Sequence, residues 1–307
     1  MHAFTRPSRR GFLAGAASLA AIPQAYAQAP SVSFLVIGDW GESSNGQHAV
    51  AGAMGRIGAE IGSAFVISTG DNFYSRGVAS VDDPQWTETF ESAFSAPSLQ
   101  TPWYAVLGNH DYRGSIAAEI DYTIESPRWH MPSRYWRQDI TIGADTASFF
   151  MLDTFPLTHM GSARARVPIL GDSSEAHAQL RWLEVELAAS HARWKIVVGH
   201  HPILSSGAHG GDDMLAQYVQ PLLQRYDVNA YFNGHDHDLE LLRDGDVNYI
   251  CSGAGSEFRG MRAPLPQTRF AHSGLGFVSC RLGEAPSVRF HDGEGRVLHT
   301  AQLEALE

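Results

Sequence analysis

The sequence predicts an α/β protein in which two sheets pack face to face with helices outside. Three observations lead there. β-Branched and aromatic runs alternate with helical stretches up to residue 237, strands alone follow, and five strands end in glycine plus a residue carrying an oxygen or nitrogen donor.

In order, a strand over 32–37 leads into Gly38-Asp39-Trp40-Gly41, and a helix rich in small residues covers 47–62. The run 65–69 ends in Gly70-Asp71-Asn72-Phe73-Tyr74, and a second helix is expected over 86–94. The run 103–107 ends in Gly108-Asn109-His110-Asp111, and a further strand covers 147–153. Residues 156–173 are long and irregular. The clearest helix is 174–190, where Leu180, Leu183 and Leu187 with Trp182 have helical spacing and Ser173 or Ser174 supplies a cap. The run 195–198 ends in Gly199-His200-His201-Pro202. A helix over 212–226 begins at Asp212 and bends at Pro221. The short run 229–233 ends in Gly234-His235-Asp236-His237. The tail reads as strands 239–243, 247–252, 274–282, 287–291 and 297–302, with Asp244-Gly245, Asp292-Gly293 and Glu294-Gly295 at turns suited to hairpins.

Donors at strand ends point into one crevice, where open α/β sheets bind their ligands. Carboxylates, an Asn amide oxygen and imidazoles without a thiolate suit Fe, Mn or Zn. Two such ions about 3.5–4 Å apart share a bridging carboxylate.

On these motifs the chain resembles the purple acid phosphatase family of metallophosphoesterases, in its short, tartrate-resistant form. The likeness runs from about Ser33 to about Gly255 and includes Arg128-Trp129-His130-Met131-Pro132-Ser133-Arg134-Tyr135-Trp136, Phe149-Phe150-Met151-Leu152-Asp153-Thr154 and Ser252-Gly253-Ala254-Gly255. The resemblance implies a four-layer α/β/β/α sandwich of two mixed sheets, the calcineurin-like metallophosphoesterase fold. It implies Asp39, Tyr74 and His237 as terminal ligands of Fe(III), Asn109, His200 and His235 as ligands of a divalent Fe, Zn or Mn, and Asp71 as the bridge. Metallophosphoesterases in general place a His two residues after the first Asp, where this chain has Gly41. Tyr74, three residues after Asp71, stands where the purple subfamily has its tyrosinate, so one ligand is lost and another gained.

The activity so implied is acid hydrolysis of small phosphate monoesters by a metal-bound hydroxide, with His110 and then His209 as candidate proton donors to the leaving group. Related chains often carry an acid just before the latter; here it is Ala208. A phosphodiesterase with the same metals, or a redox-active iron protein with little hydrolysis, is the alternative. Arg113, Arg164, Arg166, Arg259 and Arg262 lie in loops from which a substrate pocket is reachable. In the family a loop near 156–173 overhangs the metals.

Other residues have supporting roles. His201 is a candidate for facing substrate or backing a ligand, Asp236 is expected to point away, and Asp111 to anchor His110 or its loop. His48, His159, His177, His191, His272, His291 and His299 lack ligand spacing.

At the N-terminus, Ser8-Arg9-Arg10-Gly11-Phe12-Leu13, a short apolar run and Ala25-Tyr26-Ala27 read as a twin-arginine signal peptide over 1–27. Residues 28–307 form one domain without repeat or linker. A bacterial periplasmic or secreted monomer is expected, with no stable membrane association after cleavage. The formal charge of −11 argues against nucleic acid as a partner. Cys251 and Cys280 are too few for a disulfide framework and are expected as buried thiols, with pairing open if their strands are neighbours.

Overall fold

The computed structural model describes residues 30–160 and 173–303. The expected leader, Arg164, Arg166 and most of the overhanging segment lie outside the described residues.

The chain runs β1 (Val32–Ile37), α1 (Asn45–Ile61), β2 (Val66–Ser68), β3 (Trp103–Ala105), α2 (Ile116–Glu125), β4 (Trp129–His130), β5 (Trp136–Ile142) and β6 (Asp145–Met151). It continues through α3 (Ser173–Ala189), β7 (Trp194–Val198), α4 (Asp213–Tyr218), α5 (Gln220–Arg225), β8 (Ala230–Asn233), β9 (Leu239–Asp244) and β10 (Val247–Ser252). β11 (Thr268–His272), β12 (Gly276–Leu282), β13 (Ser287–Asp292) and β14 (Val297–Gln302) complete it. One sheet has the order β14-β13-β12-β1-β2-β3-β4 and the other β11-β9-β10-β8-β7-β6-β5.

β1 shows why four layers form. Its side chains alternate between two apolar environments: Phe34 and Val36 enter the core between the sheets, while Leu35 and Ile37 enter the core shared with Val50, Ala53 and Met54 of α1. A strand covered on both faces reads as an unbroken apolar run. The second sheet has the same construction. Ile196 and Phe232 face the first sheet, whereas Val197 and Tyr231 pack with Leu183, Leu187, Leu215 and Leu223 of the helices outside. Both sheets are mixed, because β1-β2-β3 and β6-β7-β8-β10 are parallel and the later strands add antiparallel. This is the four-layer sandwich of two mixed sheets that the resemblance implies.

Details differ. The helix expected over 86–94 is a six-residue π-helical turn, Trp86–Glu91. The helix expected over 212–226 is two helices with a break at Val219; Pro221 sits in the first turn of α5, where its missing N–H costs no helical bond. The antiparallel tail divides: β9 and β11 join the second sheet, while β12, β13 and β14 pair onto β1 in the first. Cys251 on β10 and Cys280 on β12 therefore belong to different sheets, and both are free, buried thiols. Among the described residues no helix is long and apolar enough to cross a membrane.

Trp40 ties this frame to the strand-end loops. It is fully buried, donates from Nε1 to Ser68 Oγ at 2.7 Å, and its ring packs within 5.3–5.9 Å of Phe73, Phe90, Phe94 and Trp103. Trp40→Ala is expected to cost about 3–5 kcal/mol, the usual loss for a buried Trp. The midpoint of urea unfolding of the metal-free protein reads it, and an unchanged midpoint would deny Trp40 that structural role.

Candidate metal centre

Five strand-end loops, after β1, β2, β3, β7 and β8, bring the donors to one point. Asp39 follows β1 and Asp71 follows β2, and each has a left-handed backbone, with φ of 54° and 50°. His235 follows β8 with φ of 70°. The loops hold one another in place: His235 N–H donates to Asp39 Oδ2 at 2.8 Å, and His110 N–H donates to Asp71 Oδ1 at 2.8 Å. The approach is so close that a Cβ on Gly234 would lie 2.3 Å from Asp39 Oδ2, and one on Gly108 would lie 2.2 Å from Asp71 Oδ1.

All seven sequence-predicted donors meet here. The Tyr74 hydroxyl lies 2.8 Å from Asp39 Oδ1, 2.9 Å from Asp71 Oδ2 and 3.2 Å from His237 Nε2. His200 Nε2 lies 3.2 Å from Asn109 Oδ1, 3.2 Å from His235 Nδ1 and 3.5 Å from Asp71 Oδ2. Asp71 thus touches both groups. His200 Nδ1 donates to the Thr69 carbonyl at 2.9 Å, so in the neutral ring Nε2 carries a lone pair. That lone pair faces an amide oxygen, a carboxylate and a second imidazole nitrogen. His237 directs Nε2 at Asp39, 3.4 Å away, while Nδ1 stands 3.3 Å from Glu257 Oε2 without hydrogen-bond geometry. Acceptors converging with too few hydrogens between them fit cations.

The local electrostatics agree. Burial works to raise the Asp39 pKa, but His200, His237 and the His235 N–H together lower it, so Asp39 stays ionised. Burial and the neighbouring His201, His200, His209 and His237 hold His235 well below the ordinary histidine range, leaving it neutral. Burial, reinforced by Asp39 and Asp71, drives the Tyr74 phenol well above its usual value. A phenolate at this position therefore requires a cation.

Position 41 has no space for a side chain: a Cβ on Gly41 would lie 2.4 Å from the Phe73 backbone nitrogen. Among the other predicted residues, His110 borders the cluster, its ring 4.5 Å from that of Tyr74, and its Nδ1 donates to the Ser75 carbonyl at 3.0 Å. The His209 ring lies 4.5 Å from that of His235, and its Nε2 accepts from Arg259 Nη1 at 2.7 Å. His201 is buried beside the ligands, 4.5 Å from His235, with its Nδ1 accepting from Thr154 Oγ1 at 2.8 Å. Asp236 turns to the 205–210 loop and accepts from Ser205 Oγ and from the His209 N–H. Asp111 anchors the loops rather than the His110 ring, accepting from the N–H groups of Gly108, Asn72 and Phe73.

Sequence reasoning passed over several supports. Thr154 Oγ1 accepts from the N–H groups of both His200 and His201. Asn72 is fully buried and donates to Glu119, whose pKa burial pushes up to about 8. Arg134 donates to Asp153 and to the Tyr112 hydroxyl, joining the segment after β4 to the end of β6. The motifs holding Arg134, Asp153 and Thr154 were visible, but not which residues they support.

Residues 32–239 match the family described as Calcineurin-like phosphoesterase. The chain is 40% identical over 285 residues to purple acid phosphatase 3 of Arabidopsis thaliana, covering 88% of this chain and 76% of that one. It is 39% identical over 241 residues to tartrate-resistant acid phosphatase type 5 of Homo sapiens, covering 74% of each. Its structure is similar to that of GAP50, described as the anchor in the inner membrane complex of Plasmodium, with a TM-score of 0.80, 27% identity, and 91% and 90% of the two chains covered. A protein described as an anchor thus shares the layers, so chemistry is read from the donors rather than from the fold.

Were Tyr74 to ligate a cation there, the phenolic proton would have to leave, because the raised pKa keeps that proton in place without one. Iron affinity should therefore rise with pH, and Tyr74→Phe should release about one proton fewer on binding. Calorimetric titration in buffers of different ionisation enthalpy measures this; equal proton release from both proteins would place Tyr74 outside the metal centre.

Proposed function

Because this chain belongs to the purple acid phosphatases, within the calcineurin-like phosphoesterases, we propose that its metal-dependent hydrolase activity is directed at small phosphate monoesters. In this reading Asp39, Tyr74 and His237 hold Fe(III), Asn109, His200 and His235 hold a divalent Fe, Zn or Mn, and Asp71 bridges them. The observation that carries it is the exchange at positions 41 and 74. Gly41 has no room for an imidazole, and the Tyr74 hydroxyl lies within 3.2 Å of Asp39, Asp71 and His237.

Bound cations supply the neutralisation of phosphate oxygens and the acidification of water. The chain's own residues supply position and proton transfer. The Ser75 carbonyl accepts from His110 Nδ1, so that nitrogen keeps its hydrogen and Nε2 is the atom that gives or takes a proton. Nε2 lies 4.0 Å from Asp71 Oδ2, and His110 lines the cavity that adjoins the cluster. His209 is less suited to donate. Its Nε2 already accepts from Arg259, and burial, opposed by Asp236 but aided by Arg259 and His237, holds its pKa below the usual value. These contacts favour His110 as the proton donor to the leaving alkoxide.

We place the protein outside the cytoplasm, in the periplasm or secreted, on the Ser8-Arg9-Arg10 pattern and the Ala25-Tyr26-Ala27 cleavage form. Fractionation of the native host, with an Arg9→Lys/Arg10→Lys variant retained inside the cell, tests the route.

The iron-loaded oxidised protein should be purple to pink and cleave 4-nitrophenyl phosphate at mildly acidic pH. Tyr74→Phe should lose the visible band. An active, iron-loaded, colourless wild type would strike Tyr74 from the ligand set. His110→Ala should keep both metals and lower the rate by about 10²–10⁴-fold for alkyl phosphates, with a smaller loss for activated aryl phosphates. A uniform loss across leaving groups, or loss of metal, would move His110 out of the donor role.

A further inference from the structure

A cavity of about 250 Å³ adjoins the donor cluster, lined by Glu42, Tyr74, Ser75, His110, Glu257 and Arg259. Its walls suit an anion poorly, since they carry two carboxylates and a phenol. Arg259 is the one arginine lining it among the described residues. Of the other arginines whose loops made them candidates, Arg113 donates to the Ser75 carbonyl and Arg262 to the Ala208 carbonyl, and neither lines the cavity.

The Arg259 backbone is pinned independently of its side chain. Its N–H donates to the His237 carbonyl at 2.9 Å, and its carbonyl accepts from Ser273 Oγ at 2.7 Å. The guanidinium is half in solvent, with 39% of the side chain exposed. Nη1 donates to the neutral His209 ring, while Nη2 stands 3.7 Å from Glu257 Oε2, beyond hydrogen-bond range. Donors of the fork thus remain for a further oxygen, and a charge-assisted bond to phosphate is stronger than one to a neutral imidazole.

We infer that Arg259 determines specificity by binding the third terminal oxygen of a phosphate monoester, the oxygen that a diester replaces with a second ester group. The inference rests on the reading of this site as a phosphate ester hydrolase. A planar fork fixed to a ligand-bearing backbone segment recognises that oxygen in one orientation.

The test compares the metal-loaded wild type with Arg259→Met and Arg259→Lys. It uses 4-nitrophenyl phosphate, bis(4-nitrophenyl) phosphate and inorganic phosphate as inhibitor, with metal content measured on each protein. Arg259→Met should raise the monoester KM and the phosphate inhibition constant by about 10- to 100-fold, the usual cost of a lost hydrogen bond to a charged group. The diester KM should move much less. The gap should widen above about pH 6, where a monoester loses its second proton. Arg259→Lys, keeping the charge without the fork, should fall between. Equal losses on both esters, or a change in kcat alone, would reduce Arg259 to positioning His209 and overturn the inference. If Arg259→Met loses metal, metal-loaded Arg259→Lys decides, and a wild-type monoester-to-diester ratio there overturns the inference as well. A wild type that cleaves neither ester would instead remove the hydrolase reading beneath it.

Discussion

Asp39, Asp71 and His235 each turn through the left-handed region within one residue of a strand-end glycine. Such a backbone costs a non-glycine residue about 1–3 kcal/mol and persists only where its surroundings over-determine it. Here the loops do so mutually. A side chain from one loop accepts the backbone N–H of another, as Asp39 does from His235 and Asp71 from His110. The turn aims each side chain into the crevice, and the crossed hydrogen bonds prevent relaxation. Glycines precede the donors because the loops touch: Gly108 and Gly234 leave room only for a hydrogen where a neighbour's carboxylate arrives.

Beneath this lattice lies an electrostatic imbalance. Asp39 and Asp71 are buried against Tyr74, and His200 Nε2 faces His235 and Asn109 with its lone pair. Left alone, the arrangement keeps a proton on Tyr74. Replacing protons by cations relieves it, and the supports that hold the loops make the geometry available in advance. Asp111 is central among them, tying the 70–74 loop to the start of the 108–111 loop through three backbone N–H groups.

The donor set was legible because five of the seven donors directly follow a glycine at the end of an apolar run and the other two, Tyr74 and His237, lie two or three residues further on, a pattern readable along the chain. The absence of His at 41 and the presence of Tyr at 74 were equally local. What stayed hidden depends on partners far apart in sequence. Thr154 supports His200 across 46 positions, and Arg259 meets His209 across 50. Three strands escaped notice for another reason: β4 is an edge strand of only two residues. β5 and β11 are sheet edges, half exposed, so they lack an unbroken apolar run. The tail strands were legible as strands, but burial patterns do not say which sheet a strand joins, and β12 pairs with β13 on one side and with β1, far away in sequence, on the other, rather than with β11.

That last pairing bears on how the protein is made. β1, which leads into Asp39, lies between β2 and β12, so its neighbour on one side arrives only with residues 276–282. Every proposed ligand has left the ribosome once His237 emerges, yet the first sheet is still open along β1. Metal capture in the finished geometry would therefore wait for a stretch of chain that contributes no ligand. A nascent or truncated chain ending before β12 would display all seven donors and still lack the wall that holds β1, and with it Asp39, in place.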